Sequence, residues 1–202
     1  DLHCGSSFSV ARPQWTSTRM KEKSDCMMLY GKWCEMVDWA GPIDFLLVMG
    51  DVCDGANLKE QGRDRTEAED EQLELAVELV KMVRGSPVIY AVDGSLYHTG
   101  VGDLDNRFAE KIGAVKDEKT NRYARLTIDM LKIEDVKFNL AHAVSVSMSS
   151  WQYRTTPLAV QLVLARLNDV NCDILLRGHA HYFCYAGFAS QLGVIVPCWQ
   201  TL

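Results

Sequence analysis

Three short apolar runs, each ending in a glycine beside a polar residue, form the clearest pattern in the chain. They are I-D-F-L-L-V-M-G-D at 43–51, S-P-V-I-Y-A-V-D-G at 86–94 and C-D-I-L-L-R-G-H at 172–179. Nearly unbroken apolar runs of this length are typical of β-strands that are covered on both faces. We therefore predict three buried strands, each of which delivers polar side chains at its end.

Segments with helical spacing of apolar residues lie around these strands. They span 23–40, 65–84, 106–115 and 156–169. The second segment has acidic residues in its first turns and Lys81 and Arg84 at its end, which is the polarity that a helix dipole favours. We predict four helices that cover the sheet.

Residues 125–142 change to an alternation of apolar and polar side chains, interrupted by K-I-E-D. This alternation predicts a β-hairpin whose second strand ends at His142. The stretch G-V-I-V-P-C-W at 193–199 predicts a closing strand. Because helices and strands alternate early and hairpins come late, we predict the α/β class, with a mixed two-layer β-sandwich flanked by helices.

The chain has 202 residues, 48% of them apolar, which suits one well-buried domain better than two. We therefore expect a single domain over 1–202. The polar stretch at 54–65 predicts a loop of the kind that shapes a substrate site. Since D-L-H at 1–3 normally needs a strand in front of it, we expect residues to be missing upstream and leave internal losses open.

Charge and cysteine content argue against several classes of protein. The formal net charge of -6 does not attract nucleic acid or an anionic membrane, although a local cationic site could override that average. Seven cysteines without a C-x-x-C pair indicate neither a disulfide framework nor a thiolate zinc site. With no apolar run long enough to span a bilayer, we expect a cytoplasmic protein without a membrane partner.

All five histidines lie at or just beyond the end of a predicted strand, namely His3, His98, His142, His179 and His181. Ligands of open α/β sheets bind in the crevice beyond the carboxyl ends of the strands, so distant residues can converge there. Together with Asp1 and the carboxylates of G-D-V-C-D at 50–54, these imidazoles suit first-row divalent ions. The set exceeds the four or so ligands of one zinc ion, so we expect two metals.

In this order the residues resemble the calcineurin-like metallophosphoesterases. The family pattern is Asp-x-His, Gly-Asp-x-x-Asp, Gly-Asn-His-Asp/Glu, a lone His and Gly-His-x-His, each at a strand end. The chain has D-L-H at 1–3, G-D-V-C-D at 50–54, a modified G-S-L-Y-H at 94–98, A-H-A at 141–143 and G-H-A-H at 178–181. Four of the five blocks match, and together they span nearly the whole chain.

The third block departs from the family pattern. Ser95 replaces the Asn that bridges to the second metal, and His98 stands three residues on, where the family has its catalytic His directly after the Asn. Some phage-type members resemble this chain in having Gly-Thr/Ser-x-x-His. The resemblance implies that Ser95 is either a weak metal ligand or a donor to one, and that His98 is the catalytic histidine.

The resemblance also implies a centre of two divalent ions, with Mn expected first and Fe, Zn or Ni as alternatives. The ligands it implies are Asp1, His3 and His181 for one ion, His142 and His179 for the other, and Asp51 as the bridge. Asp54 would orient a ligand, and His98 would donate a proton to the departing oxygen. Two ions about 3.5–4 Å apart would hold a bridging hydroxide for in-line attack on the phosphorus.

Taken singly, most of these residues have a structural explanation as well. Asp51 could follow a strand into an ordinary turn, and His142 alone is more often a core or edge histidine. The pair in G-H-A-H is different, because two imidazoles one residue apart after a buried strand rarely have a packing reason. Arg154 and Arg177 could contact a phosphate or form structural ion pairs.

The expected function is therefore phosphoester hydrolysis by a binuclear phosphodiesterase or nuclease rather than a protein phosphatase. The substrate is expected to be a nucleotide or a nucleic acid, although the acidic composition argues against processive binding to DNA. The alternative is a catalytically weak or inactive scaffold of the same fold that serves in protein assemblies. A homo-oligomer is left open.

Overall fold

The computed structural model describes residues 1–13, 23–55, 68–100, 102–144 and 153–201. Two compact units make up the chain, and each is described by itself. Unit 1 contains Asp1–Arg125 and Trp199–Leu202, and unit 2 contains Leu126–Cys198. The expectation of a single domain over 1–202 stays a prediction. The predicted loop at 54–65 lies outside the described residues except for Asp54 and Gly55.

Unit 1 is built on a three-stranded parallel sheet, in the order β1-β2-β3. The strands are β1 (Pro42–Val48), β2 (Arg84–Val92) and β3 (Ala124–Arg125). Two of the predicted apolar runs are therefore strands. Their burial is less complete than predicted, because Phe45 and Val88 keep 38% and 42% of their surface exposed.

Four helices lie in the described part of unit 1. They are α1 (Lys23–Ala40), α2 (Glu69–Val80), α3 (Leu96–Thr99) and α4 (Leu104–Lys111). The prediction that Arg84 ends the second helix is wrong, because Lys81 caps α2 and Arg84 already pairs with Pro42 in the sheet. The fully buried side chains of Leu79 in α2 and Phe108 in α4 share one hydrophobic core with Trp33. Burying side chains of this size contributes about 1.5–3 kcal/mol each.

Unit 2 is built on a five-stranded mixed sheet, in the order β4-β5-β6-β8-β7. The strands are β4 (Thr127–Ile133), β5 (Val136–Ala141), β6 (Ile174–Arg177), β7 (Cys184–Phe188) and β8 (Gln191–Ile195). The predicted hairpin is confirmed by the antiparallel pair β4 and β5, and the predicted closing strand corresponds to β8. The pairs β5-β6 and β6-β8 are parallel, so His142 and His179 both follow the carboxyl ends of neighbouring strands.

One helix, α5 (Thr156–Leu167), covers the sheet of unit 2. Its buried Leu158 packs with Ile195 of β8, and its buried Leu162 packs with Leu175 of β6. A Cβ atom on Gly193 would lie 2.9 Å from Leu158, so the absence of a side chain there lets the helix approach the sheet. With a helix-flanked sheet in each unit, the predicted α/β class is confirmed. None of the helices in the described part of the chain is both long and apolar enough to cross a membrane.

Candidate metal centre

The carboxyl ends of β1 and β2 lie side by side, and two glycines allow their following loops to touch. Gly50 has a φ of +84°, and a Cβ atom there would lie 2.6 Å from the Cα atom of Gly94. A Cβ atom on Gly94 would collide with the Asp51 carboxylate. The glycines at these strand ends therefore bring Asp51 against the loop that carries Ser95.

Asp51 is buried, and Ser95 holds its carboxylate. The backbone N–H of Ser95 donates to Oδ1 at 2.7 Å, and the Ser95 hydroxyl lies 3.1 and 3.2 Å from the two carboxylate oxygens. These contacts are those of a hydrogen-bond donor that orients Asp51. Direct ligation of a metal by Ser95 stays a prediction.

His3, Asp54 and His98 form a compact group within unit 1. Each offers one possible ligand atom, and these atoms all lie within 4.8 Å of one another. The Asp54 Oδ1 atom lies 3.3 Å from His3 Nδ1 and 3.6 Å from His98 Nδ1. The two imidazole rings meet edge to face, with centroids 4.5 Å apart. Two histidines that are far apart in sequence thus share one buried carboxylate.

The short helix α3 explains the unusual spacing of Ser95 and His98. The backbone N–H of His98 donates to the Ser95 carbonyl at 3.1 Å, which closes one helical turn. That turn brings the His98 ring to the Asp54 carbonyl oxygen, 2.8 Å from Nδ1. The two residues between Ser95 and His98 are therefore accommodated without moving the imidazole away from Asp54.

The hydrogen bonds define which ring nitrogens carry protons. A carbonyl oxygen only accepts, so Nδ1 of His98 is the donor to Asp54 and its Nε2 keeps the lone pair in the neutral ring. His3 presents Nδ1 to the Asp54 carboxylate in the same way. Burial lowers the pKa of His3, although the hydrogen bond to Asp54 opposes that shift, so the neutral imidazole is favoured.

This donor set fits a divalent metal ion. Asp54 Oδ2 is buried and finds no hydrogen-bond partner among the described residues, and a buried charge left in this way is costly. Neutral imidazole nitrogens beside a carboxylate are the ligands that Mn, Fe, Zn and similar ions take. His3 could therefore ligate such an ion beside the Asp54 carboxylate.

Unit 2 brings two further predicted ligands together. The rings of His142 and His179 have centroids 5.2 Å apart, and the backbone N–H of Gly178 donates to the His142 carbonyl at 3.1 Å. His142 is buried and His179 is exposed. His181 is partly buried, and its carbonyl accepts a hydrogen bond from the Cys198 thiol at 3.8 Å.

Four predicted ligands adopt a left-handed backbone conformation, which side-chain-bearing residues rarely take. Their φ angles are 50° for His3, 47° for Asp51, 68° for His179 and 58° for His181. Nine non-glycine residues have a positive φ in the described ranges, and these ligands account for four of them. Such conformations cost about 1–3 kcal/mol each and concentrate at functional sites, which fits the ligand assignment.

The remaining predicted site residues have structural contacts. The Asp1 carbonyl accepts from the backbone N–H of Trp199 at 2.8 Å. The Arg154 guanidinium lies over the Tyr182 ring, 5.1 Å from its centroid. A phosphate contact by Arg154 stays a prediction.

Arg177 is buried inside unit 2. Its guanidinium donates to Gln161 Oε1 at 2.6 Å and to Asn139 Oδ1 at 2.8 Å, so it joins α5 to the sheet. Burial among neutral acceptors lowers the pKa of Arg177 to about 10. These contacts are structural, and a phosphate contact by Arg177 likewise stays a prediction.

The sequence pattern did not reveal Asp105, which binds the two strand-end loops of unit 1 to each other. One oxygen of its buried carboxylate accepts from the backbone N–H of Val52 at 3.1 Å, and the other accepts from that of Gly94 at 2.7 Å. The predicted helix began at 106, whereas α4 begins at Leu104, so Asp105 was not recognised as part of the face that buries Phe108. Gln72 was also missed, because a polar residue within a predicted helix is read as exposed, whereas Gln72 lies on the buried face of α2.

The chain is similar to several solved structures, but no protein-family model and no curated protein matches it. An archaeal phosphodiesterase aligns at 13% identity and a TM-score of 0.47, over 86% of this chain and 78% of that one. Vps29 from Cryptosporidium parvum aligns at 20% identity and a TM-score of 0.42, over 82% of this chain and 63% of that one. A Vps29 mutant from Entamoeba histolytica aligns at 15% identity and a TM-score of 0.40, over 83% of this chain and 64% of that one. The chain thus spans less than two thirds of these Vps29 chains.

Asp105 predicts a pH-dependent contribution to stability. Burial raises its pKa from 3.8 to about 6, against the hydrogen bond from Val52. Since the folded-state pKa is the higher one, the stabilisation is complete below about pH 4 and is lost as the pH rises through about 6. Relative to Asp105→Asn, the wild-type chain should lose about 3 kcal/mol of unfolding free energy between about pH 4 and pH 7.

Urea unfolding in the presence of a chelator, at a series of pH values, measures this difference. Glu110→Gln on the exposed face of the same helix is the matched control and should follow the wild-type curve. Parallel curves for the wild type and Asp105→Asn would contradict the prediction.

Proposed function

We propose that the chain is a metal-dependent phosphoesterase that hydrolyses a phosphodiester in a nucleotide or a nucleic acid. The observation that supports this most is the group of His3, Asp54 and His98, in which one buried carboxylate lies between two imidazoles. The ordered motifs that resemble the calcineurin-like metallophosphoesterases supply the reaction class. The group of His3, Asp54 and His98 supplies imidazoles beside a buried carboxylate, which metal-dependent phosphoester hydrolysis needs.

The proposed cofactor is a pair of divalent ions, with Mn first and Fe, Zn or Ni as alternatives. The proposed ligands are Asp1, His3, Asp51, His142, His179 and His181. When bound, such ions act as Lewis acids that polarise the phosphoryl oxygens. The left-handed backbone of four of these residues supports their assignment as ligands.

His98 is the proposed proton donor. Its Nδ1 atom is engaged by the Asp54 carbonyl oxygen at 2.8 Å, and the Asp54 carboxylate lies 3.6 Å from the same nitrogen. The ring is thereby held from two directions, and Nε2 is the atom at which a proton can be exchanged. A proton held there would pass to the departing oxygen of the substrate.

Asp51 is proposed as the bridging carboxylate, and Ser95 orients it. The backbone N–H and the hydroxyl of Ser95 both reach the carboxylate, which fixes its rotation. Holding a ligand in place before the metal arrives lowers the cost of assembling the centre.

The direct test of this proposal is hydrolysis of bis-p-nitrophenyl phosphate by the Mn²⁺-loaded chain. Asp51→Asn should lower turnover more than about 100-fold, because it removes a ligand rather than a residue that supports one. Asp44→Asn, an exposed carboxylate of the same unit, is the matched control and should retain activity. Equal turnover by the wild type and Asp51→Asn, or none by either, contradicts catalysis at this centre.

The role of His98 makes a second prediction. His98→Ala should slow hydrolysis of a dinucleotide, whose basic alkoxide needs a proton, by about 100-fold or more. The same variant should lose much less on bis-p-nitrophenyl phosphate, because p-nitrophenolate departs without a proton. Metal content, measured by elemental analysis, should stay near that of the wild type. Loss of a metal ion would instead make His98 a ligand.

A further inference from the structure

Gln72 is a fully buried amide on α2, a helix whose other buried side chains are all apolar. Its carboxamide binds both backbone groups of Gly55. The Gly55 N–H donates to Oε1 at 2.8 Å, and Nε2 donates to the Gly55 carbonyl at 3.1 Å. Because a backbone N–H only donates and a carbonyl only accepts, these two bonds define the orientation of the amide.

The first of these bonds continues to His98. The nitrogen of Gly55 and the carbonyl oxygen of Asp54 belong to the same peptide group, and that oxygen accepts from His98 Nδ1 at 2.8 Å. A chain of hydrogen bonds therefore runs from Gln72 Oε1 through the peptide to the imidazole. Bonds in such a chain polarise and strengthen one another.

Two glycines allow close approaches around this amide: Gly5 lets Gln72 pack against the loop of His3, and Gly55 lets the loop of Asp54 approach His98. Gly5, which follows the loop of His3, has a φ of +108°, and a Cβ atom there would lie 2.6 Å from Cγ of Gln72. Gly55 has a φ of +76°, and a Cβ atom there would collide with the His98 carbonyl oxygen. The amide thus packs against the His3 loop while it binds the Asp54 loop.

We propose that Gln72 is a positioning residue that holds His98 in the Nδ1-protonated tautomer through the Asp54–Gly55 peptide. This tautomer leaves Nε2 as the nitrogen that exchanges a proton, and the catalytic consequence rests on the proposed function. An apolar side chain of similar size would avoid the cost of burying an amide, which is large when its hydrogen bonds are unmade. The hydrogen bonds of the Gln72 amide to the Asp54–Gly55 peptide explain why a polar side chain occupies this buried position.

The test compares Gln72→Leu and Gln72→Glu in the full chain. Leucine removes the acceptor for the Gly55 N–H, whereas glutamate keeps it. The nitrogen-15 chemical shifts of His98, assigned with His98→Ala, report the tautomer at about pH 8, where a free imidazole is neutral. We expect the Nε2-protonated tautomer to become populated in Gln72→Leu and not in Gln72→Glu.

The kinetic readout uses the dinucleotide. Gln72→Leu should lower kcat about 10-fold with little change in KM, because a misoriented proton donor affects the transition state alone. Leu79→Ala, on the same helix and equally buried, is the control for lost stability and should leave the His98 shifts unchanged. Gln72→Met, which follows the path of the glutamine side chain, makes the same test where leucine prevents folding.

Unchanged His98 shifts in Gln72→Leu, with a loss of Tm that Leu79→Ala matches, overturn the proposal. The chemical shifts do not require catalysis, so the two proposals fail separately. A wild-type chain without hydrolytic activity whose His98 tautomer still changes in Gln72→Leu supports the positioning role and rejects the proposed function.

Discussion

The carboxylate of Asp54 is nearly withdrawn from water between two imidazoles, and the proposed chemistry of unit 1 depends on how that charge is held. The Nδ1 atoms of His3 and His98 both face Oδ1, while Oδ2 has no hydrogen-bond partner in the described ranges. A buried anion in this state is costly unless a cation compensates it. A nearby divalent ion would provide that compensation, which is why the cluster and metal chemistry belong together.

Several features of unit 1 are unfavourable for stability by themselves, and they occur where its strand-end loops are in contact. Asp105 and Gln72 place polar groups on helix faces that otherwise bury apolar side chains, and each binds backbone groups of these loops. His3 and Asp51 adopt left-handed backbone conformations. Each feature lowers stability if considered alone, and all of them act on the loops that carry the predicted ligands. Such a concentration is typical of a site selected for geometry rather than for stability.

The sequence was informative where a pattern of residues indicates a single kind of structure or site. Apolar runs ending in glycine located β1, β2 and β6, and the ordered histidine motifs located the residues that each unit gathers. Gln72 was not found, because a polar residue in an amphipathic helix is read as exposed unless its face is known. Asp105 was not found, because α4 begins two residues before the predicted helix. The edge strand β7 was missed because its side chains are mostly exposed and lack a clear apolar alternation. The hydrogen bond from Ser95 to Asp51 depends on the close approach of Gly50 and Gly94, which only the fold reveals.

The most direct test of the central claim is the metal dependence of hydrolysis by the wild-type chain. Turnover of bis-p-nitrophenyl phosphate is followed before chelation, after removal of divalent ions with EDTA, and after Mn²⁺ is restored. We expect turnover to be lost with the ions and to return with Mn²⁺. Hydrolysis that continues unchanged in EDTA would contradict it.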